Sequence, residues 1–266
     1  TKKDLVLYFY WCSPIIFFIN YVHGQLDIIP TAIFFYALFQ LISKKYFRSI
    51  VFFALATATK SHILIFMPFI FLFLYRQRIK ISTIVIFILS YLLLYFSLIS
   101  PYVFSESFIQ MVFKAAEQKR LYEFTIPISE SLKIVVCPVV LFLLFMKFSS
   151  YKKLNNEILL MFSGIVFACF VIFVTPMPGW FLWSLPFLIY FHINNREFSL
   201  APFVIYNFIY ILYFTLFFEK DYSFLNKITD IDLANNVALS TILSSIGFTA
   251  IWMYQSGIKR NEELKI

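Results

Sequence analysis

The sequence has little charge and little glycine. Charged residues make up 14% of its 266 residues and there are 5 glycines, whereas hydrophobic residues make up 61%. No water-soluble core of this length requires so apolar a composition. In lipid, backbone amides find no solvent partners, so a spanning segment must be a helix or part of a closed barrel. The long Phe, Ile and Leu runs lack barrel alternation. We therefore predict an all-α, polytopic transmembrane helix bundle that forms a single domain over residues 1–266.

Cysteine and a basic surface are also lacking. Cys12, Cys137 and Cys169 lie within apolar stretches and have no paired spacing for zinc or redox chemistry, so we assign them to packing. The formal net charge is +8, but the Lys and Arg residues form short clusters between apolar runs rather than one basic face. We predict the lipid bilayer as a partner and no nucleic acid.

About ten apolar runs are present, each a candidate membrane crossing. They cover residues 5–22, 28–43, 49–59, 62–75, 81–99, 134–147, 157–174, 180–192, 199–217 and 237–254.

The basic residues divide unevenly if each run crosses once. One side of the membrane receives 15 of the 22, and the other receives 7 together with 9 of the 14 acidic residues. The positive-inside rule assigns the basic side to the cytoplasm. We predict an integral protein of the bacterial cytoplasmic (inner) membrane, with both ends of this sequence cytoplasmic and an extracytoplasmic active site.

Residues 49–75 are predicted to form a bent pair of short arms rather than one long helix. Basic clusters at 44–48 and 76–80 flank the segment, and a single crossing would put one of them outside. An arm over 49–59 reaches only about 16 Å, half of a hydrocarbon layer of about 30 Å. Lys60 and His62 then lie within the membrane's thickness or in a dip of its outer surface. Charged groups at such depth usually line a wet cavity and carry function.

Two outer loops, 100–133 and 218–236, are long enough to have structure of their own. In the first, apolar residues alternate with polar ones at helical spacing, which predicts a helix lying flat on the outer interface. In the second, Asp230 and Asp232 have a spacing that carboxylate ligands of a divalent ion can use. Loops of this composition are usually just solvated, so we predict no metal site and keep the divalent ion as the alternative.

The polar residues nearest the outer ends of the runs are the candidate site. His23, Gln25 and Asp27 surround Gly24 in the turn between the first two runs. The alternative is that Gly24 forms a tight turn and the three polar side chains are merely solvated there. A later stretch, 175–186, is rich in proline and tryptophan; it fits either an outer turn of a site or an interfacial aromatic belt.

Residues 11–75 resemble the type C (GT-C) integral-membrane glycosyltransferases, in particular the GPI-mannosyltransferase-like and bacterial polyprenyl-phosphate-dependent enzymes. That family has Asn or Ser before Pro, a Gly-Gln-x-Asp or similar turn, and a small-residue helix that leads into Lys and then Pro. The matching residues here are Ser13, Pro14, Gly24, Gln25, Asp27, Ala54, Ala56, Ala58, Lys60 and Pro68.

The resemblance implies transfer of a sugar, a hexose such as mannose, from a polyprenyl-phosphate donor to a glycan, lipid or protein acceptor. Asp27 is then the candidate catalytic base. Lys60 is the candidate ligand of the donor phosphate, with His62 or Arg120 as helpers. His23, Gln25 and Trp180 remain as candidate substrate-binding residues. Beyond the lipid-linked donor itself no cofactor is implied.

One departure from the family concerns its principal catalytic Asp, which lies in an outer loop upstream of the Gly-Gln-x-Asp turn. The sequence begins at Thr1 with Lys2 and Lys3 running into the first apolar run, so no such loop precedes the turn. We expect an N-terminally truncated chain in which Asp27 is a second acidic group. The alternative is that Asp27 itself is the base.

Two other classes of function compete with the glycosyltransferase. A transporter or flippase of lipid-linked glycans would have broken helices and midplane charges, but also repeats, and the first half's polar motifs have no counterpart in the second half. A glycan polymerase or acyltransferase would share the long outer loop. Acyl transfer requires a His beside a carboxylate, and His192 falls on the predicted inner side.

Overall fold

The computed structural model describes residues 2–174, 177–195, 199–217 and 231–263. The all-α prediction is confirmed, because helices account for most of this part of the chain. They are α1 (Lys2–Val6), α2 (Pro14–Phe17), α3 (Ile28–Ile42), α4 (Tyr46–Thr59), α5 (Met67–Arg76), α6 (Ile81–Ile99), α7 (Glu106–Phe108), α8 (Ala116–Lys119), α9 (Val136–Ser150), α10 (Asn156–Phe173), α11 (Phe181–Asn194), α12 (Ala201–Leu216) and α13 (Ile231–Glu263).

The first apolar run is a bent pair of helical segments. Each segment begins as α-helix and ends as π-helix, over Leu7–Trp11 and Phe18–Val22. Their axes differ by 48°. The bend falls at Pro14, which opens α2 and lacks the N–H that would continue the preceding helix.

The chain reverses between α4 and α5. The ring of Phe34 in α3 packs on Phe53 at 5.7 Å and on Phe66 at 5.6 Å, centroid to centroid. In one straight helix the thirteen residues from 53 to 66 would rise about 20 Å, too far for both rings to meet Phe34. Lys60, in extended conformation at φ −154° and ψ 117°, links α4 to a 3₁₀ segment, Ser61–Phe66. This is the predicted bent pair, with Lys60 and His62 at its tip.

Helix α10 lies in the centre of the bundle. Phe162 packs on Phe69 of α5, and Phe167 packs on Phe34 of α3. Gly164 has no side chain, and a Cβ there would lie 2.7 Å from Phe187 of α11 and 2.6 Å from Met253 of α13. The absent side chain therefore lets three helices approach closely.

Three described helices are long and apolar enough to cross a membrane: Ile81–Ile99, Asn156–Phe173 and Asp232–Lys259. The bent first pair makes a fourth if it is one span. Other apolar helices, such as α3 with 15 residues and α4 with 14, extend only about 21–23 Å and are shorter than a hydrocarbon layer of about 30 Å. Several described helices thus have the length and composition of membrane-spanning helices. The number of ten crossings remains a prediction.

Segment 100–135, which includes the first predicted outer loop, differs from the prediction of one flat helix. It contains the short turns α7 and α8 with π- and 3₁₀-helical pieces, and then a hairpin that pairs Thr125–Pro127 with Lys133–Val135. The helical path is interrupted at Ala115, whose ψ of 133° is extended. Phe104 is 92% exposed, so it packs little against the described part of the chain. Of the second predicted loop, residues 218–230, including Asp230, lie outside the described residues, and Asp232 falls in the first turn of α13.

Two turns opposite the Lys60 tip hold a non-glycine residue in left-handed conformation. Lys44 lies between α3 and α4 at φ 59°, and Arg78 lies between α5 and α6 at φ 56°. Both conformations are unfavourable for residues with a Cβ.

Candidate functional site

A tight turn brings Asp27 to the start of α3. Gly24 adopts φ +72°, which a glycine tolerates without cost. Asp27 is the N-cap residue of α3, but its side chain makes no cap hydrogen bond. The carboxylate instead points into the bundle and is 2% exposed. A buried carboxylate requires partners, and the neighbouring elements supply them.

Lys60 and Trp183 both bind one oxygen of Asp27. Lys60 Nζ forms an ion pair with Oδ1, and Trp183 Nε1 donates a hydrogen bond to the same oxygen at 2.8 Å. Lys60 Nζ also lies 5.4 Å from the centre of the Trp183 ring, a cation–π distance. The side chain of Lys60 is 35% exposed and that of Asp27 is 1% exposed. The cation thus lies at the edge of the cluster and the carboxylate inside it.

An aromatic stack supports this ion pair. His62 lies parallel to Trp183 with ring centres 3.6 Å apart and planes 10° apart. Trp180 stacks on Trp183 at 5.3 Å. The Nδ1 atom of His62 is buried and accepts or donates no hydrogen bond within the described part of the chain. His62 therefore contributes a fixed ring and one unused polar atom to the site.

The turn before α11 closes over the second oxygen of Asp27. Gly179 N–H donates to Gln25 Oε1 at 2.8 Å. A Cβ on Gly179 would lie 2.5 Å from Asp27 Oδ2 and 2.4 Å from Gln25 Cδ, so only glycine fits. Oδ2 is buried and receives no hydrogen bond from any residue that the structure describes. Among the described residues, Gly179 thus lies against Oδ2, whereas Oδ1 faces the partly exposed side chain of Lys60.

An apolar cavity of about 680 Å³ lies beside the turn, between the first bent pair and α12. Trp11, Phe18 and Phe214 are among the residues that line it, and His23 and Pro178 form the part nearest to Gln25 and Gly179. The hydroxyl of Ser13, at the helix break, donates to Asn207 Oδ1 of α12 at 2.9 Å. Of the predicted Ser-Pro motif, Pro14 lines the cavity, and Ser13 attaches the helix break to α12.

The structure brings together five of the seven predicted site residues: Asp27, Lys60, His62, Gln25 and Trp180. His23 lies at the cavity rather than in the ion-pair cluster. Arg120 lies in a 3₁₀ turn beside α9. The contacts given above for the ion-pair cluster do not include it.

Sequence reasoning missed Trp183 and Gly179 as members of the cluster. Trp180 and Trp183 are three residues apart, so on a helix they share a face, and this spacing was the available signal. Gly179 gave none, because its role depends on Gln25 and Asp27 more than 150 positions away.

No group of three or more His, Cys, Asp and Glu side chains among the described residues is placed to hold a metal ion. Glu219, Asp221 and Asp230 lie outside those residues. No protein-family model, no curated protein and no solved structure matches the chain.

Proposed function

We propose that the chain is a membrane glycosyltransferase that moves a sugar from a polyprenyl-phosphate donor to an acceptor on the extracytoplasmic side. The observation that carries the proposal is the Asp27–Lys60 ion pair, in which the carboxylate is buried and the cation is partly exposed. The chain neighbours of its turns, His23 and Pro178, line an apolar cavity. A lipid-linked sugar requires these three features together: a cation for its phosphate, a carboxylate near the sugar and an apolar surface for its tail.

Lys60 supplies the cation for the donor's phosphate. Its side chain is exposed enough to leave Asp27, and its extended backbone lies outside any helix, which leaves the four-carbon stem free to turn. A phosphate beside Lys60 replaces one anionic partner of the ammonium with another. Binding of the donor therefore removes Lys60 from Oδ1 of Asp27 and leaves a lone pair of that oxygen available.

Asp27 then accepts the proton of the acceptor hydroxyl. The hydroxyl oxygen attacks the anomeric carbon, the glycosidic bond forms, and the bond from that carbon to the phosphate oxygen breaks. The carrier leaves as polyprenyl phosphate, its charge held by Lys60, and the proton resides on Asp27. A positioned base of this kind contributes about 10²–10⁴-fold to a rate.

The apolar cavity accommodates the first isoprene units of the donor. His23 and Pro178 line it, and they are close in sequence to Gln25 and Gly179, which hydrogen-bond each other. In this arrangement the chain crosses the membrane about ten times, and the Lys60 tip faces the extracytoplasmic side.

The test measures transfer of radiolabelled mannose from undecaprenyl-phosphate mannose to endogenous acceptors in membranes that contain the protein. We expect Asp27→Asn to lower the maximal rate about 10²–10⁴-fold. Lys60→Ala should raise the KM for the donor, and Lys60→Arg should retain part of the activity because it keeps the charge. Removing one member of a buried pair is destabilising by about 3–5 kcal/mol, so rates are normalised to folded protein.

Matched controls come from positions away from the site. Asp232→Asn and Lys119→Ala make the same chemical changes at exposed residues and should leave transfer unchanged. Full transfer activity in both Asp27→Asn and Lys60→Ala would refute the proposed function.

A further inference from the structure

Trp183 contacts Asp27, Lys60 and His62 together. Its N–H donates to Asp27 Oδ1, its ring lies 5.4 Å from Lys60 Nζ, and His62 covers the ring at 3.6 Å. These three partners belong to the turn before α3, the link after α4 and the 3₁₀ segment, whereas Trp183 belongs to α11. Its position joins otherwise separate parts of the site.

The ion pair raises a difficulty for the proposed chemistry. When Lys60 moves to a phosphate, the carboxylate of Asp27 loses its counter-ion while it remains buried. An unpaired buried carboxylate is costly and tends to rotate or to take up a proton. It requires a remaining donor that does not itself move to the phosphate.

Trp183 is suited to be that donor. It is 4% exposed, its ring is held by His62 on α5's side of the bundle and by Phe170 of α10 at 6.0 Å, and an indole N–H donates without ever accepting. A neutral donor has little attraction for the incoming phosphate, in contrast to Lys60. Its bond to Oδ1 therefore persists through the exchange.

We propose that Trp183 is the positioning residue of this site: its N–H holds the Asp27 carboxylate in place after Lys60 has moved to the donor phosphate. This rests on the proposed function. Trp183 donates one hydrogen bond throughout and exchanges no proton, because the hydroxyl proton passes to Asp27 and the leaving phosphate is held by Lys60. The ring in turn gives the ammonium a second favourable surface near Asp27.

The decisive variant is Trp183→Phe, which keeps an aromatic ring against His62 and removes the N–H. A hydrogen bond to a charged group corresponds to about 10–100-fold in rate, so we expect kcat to fall by that factor while the KM for undecaprenyl-phosphate mannose is unchanged. Trp252→Phe in α13 is the matched control and should leave both kcat and KM unchanged.

A second variant separates the hydrogen bond from packing. Replacement of Trp183 by 3-benzothienylalanine preserves the shape of the indole and exchanges the N–H for sulfur, so it should reproduce the kcat loss at unchanged KM without loss of folded protein. A wild-type kcat in this variant would overturn the positioning role. That result would leave the proposed function standing if Asp27→Asn remains inactive, whereas active Asp27→Asn and Lys60→Ala variants would refute the function itself.

Discussion

Helices α6 and α10 are nearly equal in length and similarly apolar, yet they occupy opposite environments. Of the apolar window of α10, 72% of the residues are buried within the protein, against 17% for α6. Phe162 of α10 is fully buried, whereas Phe96 of α6 is 57% exposed. The same kinds of side chain thus face other helices in one case and the surroundings of the chain in the other.

The difference in burial between α6 and α10 shows that an apolar run in the sequence predicts a helix but not what the helix packs against. In water, exposure on this scale would require a polar face; α6 has none, which agrees with lipid as its surroundings. What distinguishes the central helix is small residues and specific contacts rather than hydrophobicity. Gly164 and Ser163 of α10 have no equivalent pair at the centre of α6.

The largest test of this comparison is whether α6 crosses a membrane at all. Single cysteines at positions 61, 78 and 119, in a background where the exposed Cys12 is replaced by Ser, probe both ends of α6 and the Lys60 tip. All three positions are exposed, so burial does not mask them. We expect a membrane-impermeant maleimide added outside to label 61 and 119 but not 78. Labelling at 78 alone would contradict the proposed topology.

Truncation of one phenylalanine in each helix should separate the two environments energetically. Phe162→Ala leaves a cavity among packed rings and should cost about 3–5 kcal/mol of unfolding free energy. Phe96→Ala exposes a surface that acyl chains can refill, so we expect less than about 1 kcal/mol. Unfolding in mixed dodecylmaltoside and SDS micelles measures both. Equal losses would mean that α6 has an unrecognised protein partner.

The close approach at Gly164 gives a smaller effect. Gly164→Ala places a methyl 2.7 Å from Phe187 Cβ and should destabilise by about 1–3 kcal/mol through overpacking. Gly247→Ala makes the same change in α13, where the nearest atom is Ile172 Cδ1 at 3.8 Å, and should be neutral or stabilising by up to about 1 kcal/mol. If Gly164→Ala left the unfolding free energy unchanged in the same micelle assay, α11 and α13 would have to move apart at little cost to accommodate the methyl group.

The smallest effect concerns the inward side of α6. The hydroxyl of Tyr91 donates to Thr57 Oγ1 of α4 at 3.0 Å, so Tyr91→Phe should cost about 0.5–1.5 kcal/mol. Tyr95, one turn further on, makes no hydrogen bond within the described part of the chain, and Tyr95→Phe should change the micelle unfolding midpoint little. Equal shifts would show that the hydroxyl bond contributes nothing to the attachment of α6.

Much of the fold follows from the sequence because charge and length act locally. The basic clusters at 44–48 and 76–80 and the short arms between them predicted a reversal near Lys60, and the contacts of Phe34 show one. The flat helix over 100–133 was wrong. Periodicity indicates an amphipathic helix but not its length. In the structure the helix is interrupted at Ala115, and short helical turns and a hairpin follow.

The site was less accessible to sequence reasoning. Asp27, Lys60 and His62 could be singled out because polar residues are rare between apolar runs. Trp183 could not be distinguished from an interfacial tryptophan, since its value depends on where its N–H points after α11 has packed against α3. Arg120 was selected for its charge alone, and its place beside α9 depends on the irregular path of segment 100–135.

Lys44 and Arg78 stand where a glycine would relax the backbone, since both have positive φ. Substituting glycine at either turn would favour the finished fold by about 1 kcal/mol. It would also remove a charge that the insertion machinery reads while the helices are still emerging from the ribosome. In the proposed topology, the side chains of Lys44 and Arg78 lower the stability of the folded state slightly and favour the correct membrane orientation. Their glycine variants should therefore be more stable once folded, and a larger fraction should insert in the inverted orientation.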